Sequence, residues 1–173
     1  MLESELKNFN HLKIHTEYSI CEGAVKIDVL KARAKEFKIK SLGLSDTSNL
    51  CGAIEFSEKI SKVGTQPIIA TQINFKFEET TGLLPLFVLD ETGYKKIIEL
   101  SSRSYLDNDK TSDPHLNIND LLELDNTGIS IFSGTIFGLF GKLFDKGKFS
   151  EITTLYKILN KKFDDRFYLE IQR

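Results

Sequence analysis

The chain has 173 residues, 40% hydrophobic and 28% charged, with a formal net charge of −2. That is enough for one domain with a sizeable core, and the near-neutral charge excludes a surface that is basic throughout. No apolar run approaches the length of a membrane span, and the opening MLESELKNFN lacks the basic-then-apolar pattern of a signal peptide, so neither insertion nor export is expected. Cys21 and Cys51 have no CxxC spacing and no histidine neighbours, which predicts a reduced, cytoplasmic protein with both thiols buried.

In chain order, His11 to His15 (HLKIH) alternates as a strand does. Ile27, Leu30, Ala34 and Phe37 then recur at helical spacing, predicting a helix over 25–37. Ser41 to Ser45 (SLGLS) reads as a strand ending at Asp46. A second helix is expected from about Leu50 to Lys62, with Leu50, Ile54, Ser57 and Ile60 on one side and Gly64 as its stop. Pro67 opens a β-rich run, PIIATQINFKF, and Leu83 to Leu89 (LLPLFVL) reads as a buried strand.

Tyr94, Ile97, Ile98, Ser101 and Tyr105 mark the next helix, and Asp107 to Pro114 is the most loop-like stretch. A short helix near 119–124, a strand at 129–132, a helix carrying Ile152, Leu155, Tyr156, Leu159 and Phe163, and a strand at 167–171 complete the pattern. Strands alternating with helices predict an α/β fold with a mainly parallel sheet. Because the sequence stops just after a strand, it is read as a fragment of a larger barrel.

In such folds functional groups gather where strands end. Four segments sit there: HLKIHTEYS, CEGAVKI, LSDTSNLCGAIEF and QPIIATQ. Together, in this order, they resemble the PHP domain at the head of bacterial DNA polymerase III alpha subunits. That family carries H-x-H followed by [ST]-x-[YF]-S and D-G-A, then T-D-H-G-N-L/M-x-G-A-x-E-F, then K-P-I-I-G-x-E. The resemblance continues through LFVLDETGYKKIIELSS and the closing DDRFYLEIQ, and so covers nearly the whole chain. It implies a distorted (β/α)7-type barrel, present as its N-terminal portion over residues 1–173, with the rest of the barrel and the polymerase domains absent.

The resemblance also implies a cluster of divalent metals held by His, Asp and Glu, which activates water against a phosphoester. This sequence departs from that pattern at most ligand positions. Lys13 replaces the first histidine of H-x-H, while His15 keeps the second. Glu22 replaces the aspartate of D-G. Asp46 is kept but Thr47 replaces the histidine after it. Gln72 replaces the glutamate of the third strand, and Pro85 replaces the histidine that opens the LLA-type strand. These seven positions are read as a vestigial metal site with no catalytic residue and no metal or other cofactor of its own. An ion pair from Lys13 to Asp46 or Glu22 is expected to stand in for the metal charge.

The function so implied is a non-catalytic scaffold that docks the proofreading exonuclease subunit. The parent chain would perform template-directed DNA synthesis with Mg2+, and DNA would be met through the holoenzyme. Two other readings stand beside it: a metal-dependent phosphoesterase or 3′–5′ exonuclease with a reduced ligand set, and a stand-alone PHP phosphatase, against which the YSxxxGAxxI and GYxxIxxLSS segments argue. Other features read as structural. His11 and His115 are taken as solvated or hydrogen-bonded side chains and Phe56 as helix packing, while Gly23, Gly52 and Gly93 serve turns and helix starts. Ser133-Gly134 with Gly138 resembles a family turn more than a phosphate loop, and Lys95-Lys96 and Lys161-Lys162 are expected on solvated helix faces.

Overall fold

A computed structural model describes residues 9–108, 111–125 and 127–171. The chain divides into two compact units, residues 1–71 and 72–173.

In the first unit, helix α1 (Ile27–Phe37) and helix α2 (Ala53–Ser61) flank strand β1 (Ser41–Thr47). Ile27, Ala34, Leu42, Leu44, Phe56 and Ile60 form the core between them, each nearly or fully buried. A fully buried side chain of this size contributes about 1.5–3 kcal/mol, so this cluster is what holds the two helices to the strand. His11 to His15 runs parallel to β1 but only as isolated bridging: Gly43 N donates to His11 O at 2.7 Å and Ser45 N to Ile14 O at 2.9 Å. Gly43 permits that approach, since a Cβ there would run into the Leu12 backbone. The buried face of α2 is Ala53, Phe56 and Ile60, whereas Ile54 is 71% exposed. Of the expected stripe Leu50, Ile54, Ser57 and Ile60/Ser61, Ile60 is buried but Ile54 faces outward; both stripes have helical spacing, and the one carrying the phenylalanine buries more apolar area.

Strand β2 (Gln66–Phe77) passes from the first unit into the second. Its opening lies beside β1, with Gln66 N donating to Lys40 O at 2.9 Å and Thr71 Oγ1 to Asp46 O at 2.8 Å.

The second unit contains β3 (Thr80–Val88), α3 (Glu91–Leu106), β4 (Leu116–Asn117), α4 (Ile118–Glu123) and β5 (Ile129–Phe132). Then follow α5 (Leu139–Asp145), α6 (Phe149–Phe163) and β6 (Phe167–Tyr168). Its strand order is β2-β3-β5-β6, with β4 parallel to β2 through Phe75↔Leu116. Only Glu78 and Glu79 join β2 to β3, so those two strands form a hairpin. β3 and β5 are antiparallel (Leu86↔Ile131), and β5 and β6 parallel (Ile131↔Phe167).

The sheet is thus mixed rather than mainly parallel. The turn was hidden because Glu78 takes φ 50 without being the glycine or asparagine that normally signals one. Helix α5 has no counterpart in the sequence reading either, being short and interrupted by Gly141, whose Cβ would strike the Ile136 backbone. The last strand covers Phe167–Tyr168 instead of 167–171. Of the polar stretch 107–114, residues 109 and 110 lie outside the described residues, as do the terminal 172–173.

Candidate functional site

The polar groups of the first unit converge where β1 ends. Asp46, 1% exposed, is satisfied by two neighbours from the turn after His15. Thr16 N donates to Oδ1 at 2.7 Å, Thr16 Oγ1 to Oδ2 at 2.7 Å, and Ser19 Oγ to Oδ1 at 2.6 Å. Bonds of this length satisfy both oxygens of a side chain that burial would otherwise leave without partners. Thr16 and Ser19 are themselves fully or almost fully buried. Ser19 Oγ also accepts from Thr47 N at 3.1 Å, which links the turn to the end of β1 a second time. Gly23 closes the turn against the Thr16 carbonyl, where a Cβ would not fit. Its φ is not in the left-handed region, so close approach and not backbone conformation demands glycine here.

Outside Asp46 the retained His15 meets the replaced positions Glu22 and Thr47. Thr47 Oγ1 donates to Glu22 Oε2 at 2.5 Å, and His15 Nδ1 lies 3.4 Å from the same oxygen and 3.5 Å from Thr47 Oγ1. Asn49 ties the next loop down, donating to Tyr18 O at 3.0 Å and Thr47 O at 2.9 Å. Beneath it Thr71 Oγ1 donates to Asp46 O and to Asn49 O. At the rim, Tyr18 donates to Glu55 Oε2 at 2.9 Å, and Lys59 bridges Glu55 at 2.8 Å and Asp28 at 2.6 Å. The hydrogen bonds from Lys59 hold the Asp28 and Glu55 carboxyls below their ordinary range. The same two bonds raise Lys59, and the bond to Glu55 raises the Tyr18 phenol.

The structure therefore brings His15, Glu22, Asp46 and Thr47 together, with Lys13 half-buried two residues before His15. Gln72 (5% exposed) and Pro85 (buried) belong to the second unit. Pro85 sits in β3 just outside the paired stretch Leu86–Val88, where the N–H it lacks is not needed by the β5 ladder. Among the described residues no group of three or more His, Cys, Asp and Glu is placed to hold a metal ion. The buried carboxylate is bound by an amide and two hydroxyls, and Thr47 and Glu22 are bonded to each other. Thr16 and Ser19, the residues that hold Asp46, were quoted in the sequence only as framework; the signal was a pair of hydroxyls directly after a strand end.

Several structural readings are also decided. Phe56 is fully buried packing. His11 is exposed and meets Phe9 edge-on at 4.8 Å, while His115 is exposed with Nδ1 2.8 Å from Asp113 O. Both cysteines are exposed, not buried, because each lies in a loop at the rim of this site instead of on a core face. Lys96 is not a solvated lysine: its side chain is 13% exposed and bonds Asp125 at 2.9 Å and both Thr127 oxygens.

Residues 11–173 match the PHP domain family. DNA polymerase III subunit alpha of Caulobacter vibrioides is 34% identical over 182 residues, covering 100% of this chain and 16% of that protein. The same subunit is 33% identical in Rickettsia bellii and 34% in Helicobacter pylori, over 95% and 98% of this chain. The chain spans only 14% to 16% of the length of these relatives. A solved structure of a proposed metal-dependent phosphoesterase from Bifidobacterium adolescentis aligns with 57% of this chain and 34% of its own, at TM-score 0.47 and 17% identity. With the match running through every segment that builds the Asp46 site, the chain belongs to the PHP domain family.

Proposed function

We propose that this PHP domain is a non-catalytic scaffold in a DNA polymerase III alpha-type chain, offering a docking surface to the proofreading exonuclease subunit. Template-directed synthesis, with its Mg2+, then belongs to other parts of the polymerase, and DNA is met through the assembled holoenzyme in the cytoplasm. The observation that carries this reading is the closure of Asp46 by Thr16 and Ser19. A carboxylate so bound acts as the tie between a turn and a strand, a structural role that needs no metal. Similarity of this whole chain to 15% to 16% of the alpha subunits' length supports the wider context.

The test is metal analysis of the purified chain after exposure to Zn2+ and to Mn2+, alongside hydrolysis of a generic phosphoester. The reading expects neither retained metal nor turnover, together with saturable binding of the exonuclease subunit in a titration. Stoichiometric metal with hydrolysis that His15→Gln and Asp46→Asn both abolish would replace it with the reduced-ligand phosphoesterase. No association with the exonuclease subunit would remove the docking role.

A further inference from the structure

The second unit carries an apolar surface that its core does not use. Phe144 and Phe149 are 62% and 60% exposed and meet edge to face at 5.5 Å. Ile136 is 63% exposed, and its backbone lies directly against α5 at Gly141, where a Cβ would strike it. Gly141 and Phe144 are three residues apart on α5 and so are neighbours on the helix surface. Helical side chains lean toward the N-terminus, which brings the Phe144 ring back over the turn that Ile136 touches. Ile136, Phe144 and Phe149 therefore form one patch. Leu139 and Leu143 fill the inner face of α5, and Leu155, Leu159 and Phe163 that of α6, so the core does not require these three.

The patch is also uncovered and held in place. Lysine stems on a helix commonly lie over apolar neighbours. Here Lys142 and the C-cap Lys146 turn elsewhere, donating to Thr81 O at 3.0 Å and to Thr80 Oγ1 at 3.2 Å. At about 100° per residue, each stands about 160° round the helix from Phe144. Thr135 fixes the turn before α5: its Oγ1 accepts from Phe137 N at 3.1 Å and its carbonyl from Gly138 N at 2.9 Å. Gly147, at φ 68, closes the turn after α5, where Gly147 N donates to Phe144 O and Lys148 N to Leu143 O, both at 2.9 Å. With both turns tied, covering the patch orders little that is not already ordered.

We propose that a second copy of this chain covers this patch, forming a two-fold dimer through α5 and the start of α6. Three side chains exposed to this degree present about 350 Å² of apolar surface. In an interface about 60% apolar, that implies a footprint of about 600 Å² per copy. Two copies then bury about 1,200 Å², the lower end of specific protein interfaces. The three side chains are uncharged, so the patch meets its own image without burying an unpaired charge. Edge-to-face rings pair across a two-fold axis as well as they do within one copy. The patch lies in helices and a closed turn, and it offers no strand edge for an extended peptide to join.

The test is sedimentation velocity of the full chain from about 1 to about 200 μM, the range in which an interface at this end of the size scale associates. The sedimentation coefficient is expected to rise from monomer to dimer and to stop there. Phe144→Ser with Phe149→Ser should weaken dimerisation at least about tenfold. Phe144→Lys alone, which sets like charges against each other across the axis, should do the same. Ile54→Ser, which removes a 71% exposed apolar side chain from the first unit, should leave dimerisation within about twofold. Circular dichroism and thermal melting confirm that the variants are folded. Any of four results overturns the proposal: a monomer throughout the range, association that both ring variants leave unchanged, growth beyond the dimer, or an equal loss in Ile54→Ser. A monomer whose binding of the exonuclease subunit is lost in both ring variants would assign the patch to that partner instead.

Discussion

Asp46 in the first unit is 1% exposed and takes three short hydrogen bonds, while Phe144 and Phe149 in the second are more than half exposed and meet edge to face. In the first region polar groups are turned inward and hydrogen-bonded to one another. In the second, aromatic rings are left outward. The residues nearest the family pattern are hydrogen-bonded within their own site.

Substitutions separate the two regions sharply. Asp46→Ala leaves Thr16 N, Thr16 Oγ1 and Ser19 Oγ without their acceptor in a buried place. The expected cost is about 3 kcal/mol, seen as a drop of roughly 10 °C in melting temperature. Gly23→Ala forces a Cβ onto the Thr16 carbonyl and should cost about 2 kcal/mol in urea unfolding. Phe149→Ala should change stability by no more than about 0.5 kcal/mol. A large stability loss from Phe149→Ala, or tolerance of Asp46→Ala, would break the contrast.

The charged ties give a smaller, pH-dependent effect. Hydrogen bonds from Lys96 and from Thr127 hold Asp125 at about 2, below its ordinary 3.8. Its contribution to stability is therefore complete above that ordinary value and is lost as pH falls through about 2. Asp28 and Glu55 behave alike, and Lys59→Met should return both carboxyls toward their ordinary range in an NMR titration. Lys59, raised by the same pairs, keeps its contribution through neutral pH and loses it only when pH rises past the ordinary lysine range.

Much of this was legible from the residues. Helical spacing located α1, α3 and α6, since each buries a stripe of Ile, Leu or Phe. The motif order brought His15, Glu22, Asp46 and Thr47 into one place. What failed depended on information that spacing does not hold. Periodicity could not choose between the two stripes of α2. A turn made by Glu78 and Glu79 carries no turn signal, and a seven-residue helix containing Gly141 is too short for a period. Lys96 looked like any surface lysine until Asp125 and Thr127 folded over it. The hydroxyls of Thr16 and Ser19 escaped notice because the ligand pattern directs attention to histidines and acids.

The account rests most directly on the strand-end site being closed by its own hydrogen bonds. Thermal unfolding of the full chain, with saturating Zn2+ or Mn2+ and again with chelator, tests that claim. The melting temperature should be the same in all three conditions. A saturable rise of several degrees with either metal, removed by His15→Gln and by Asp46→Asn, would show that the site still binds metal and would contradict it.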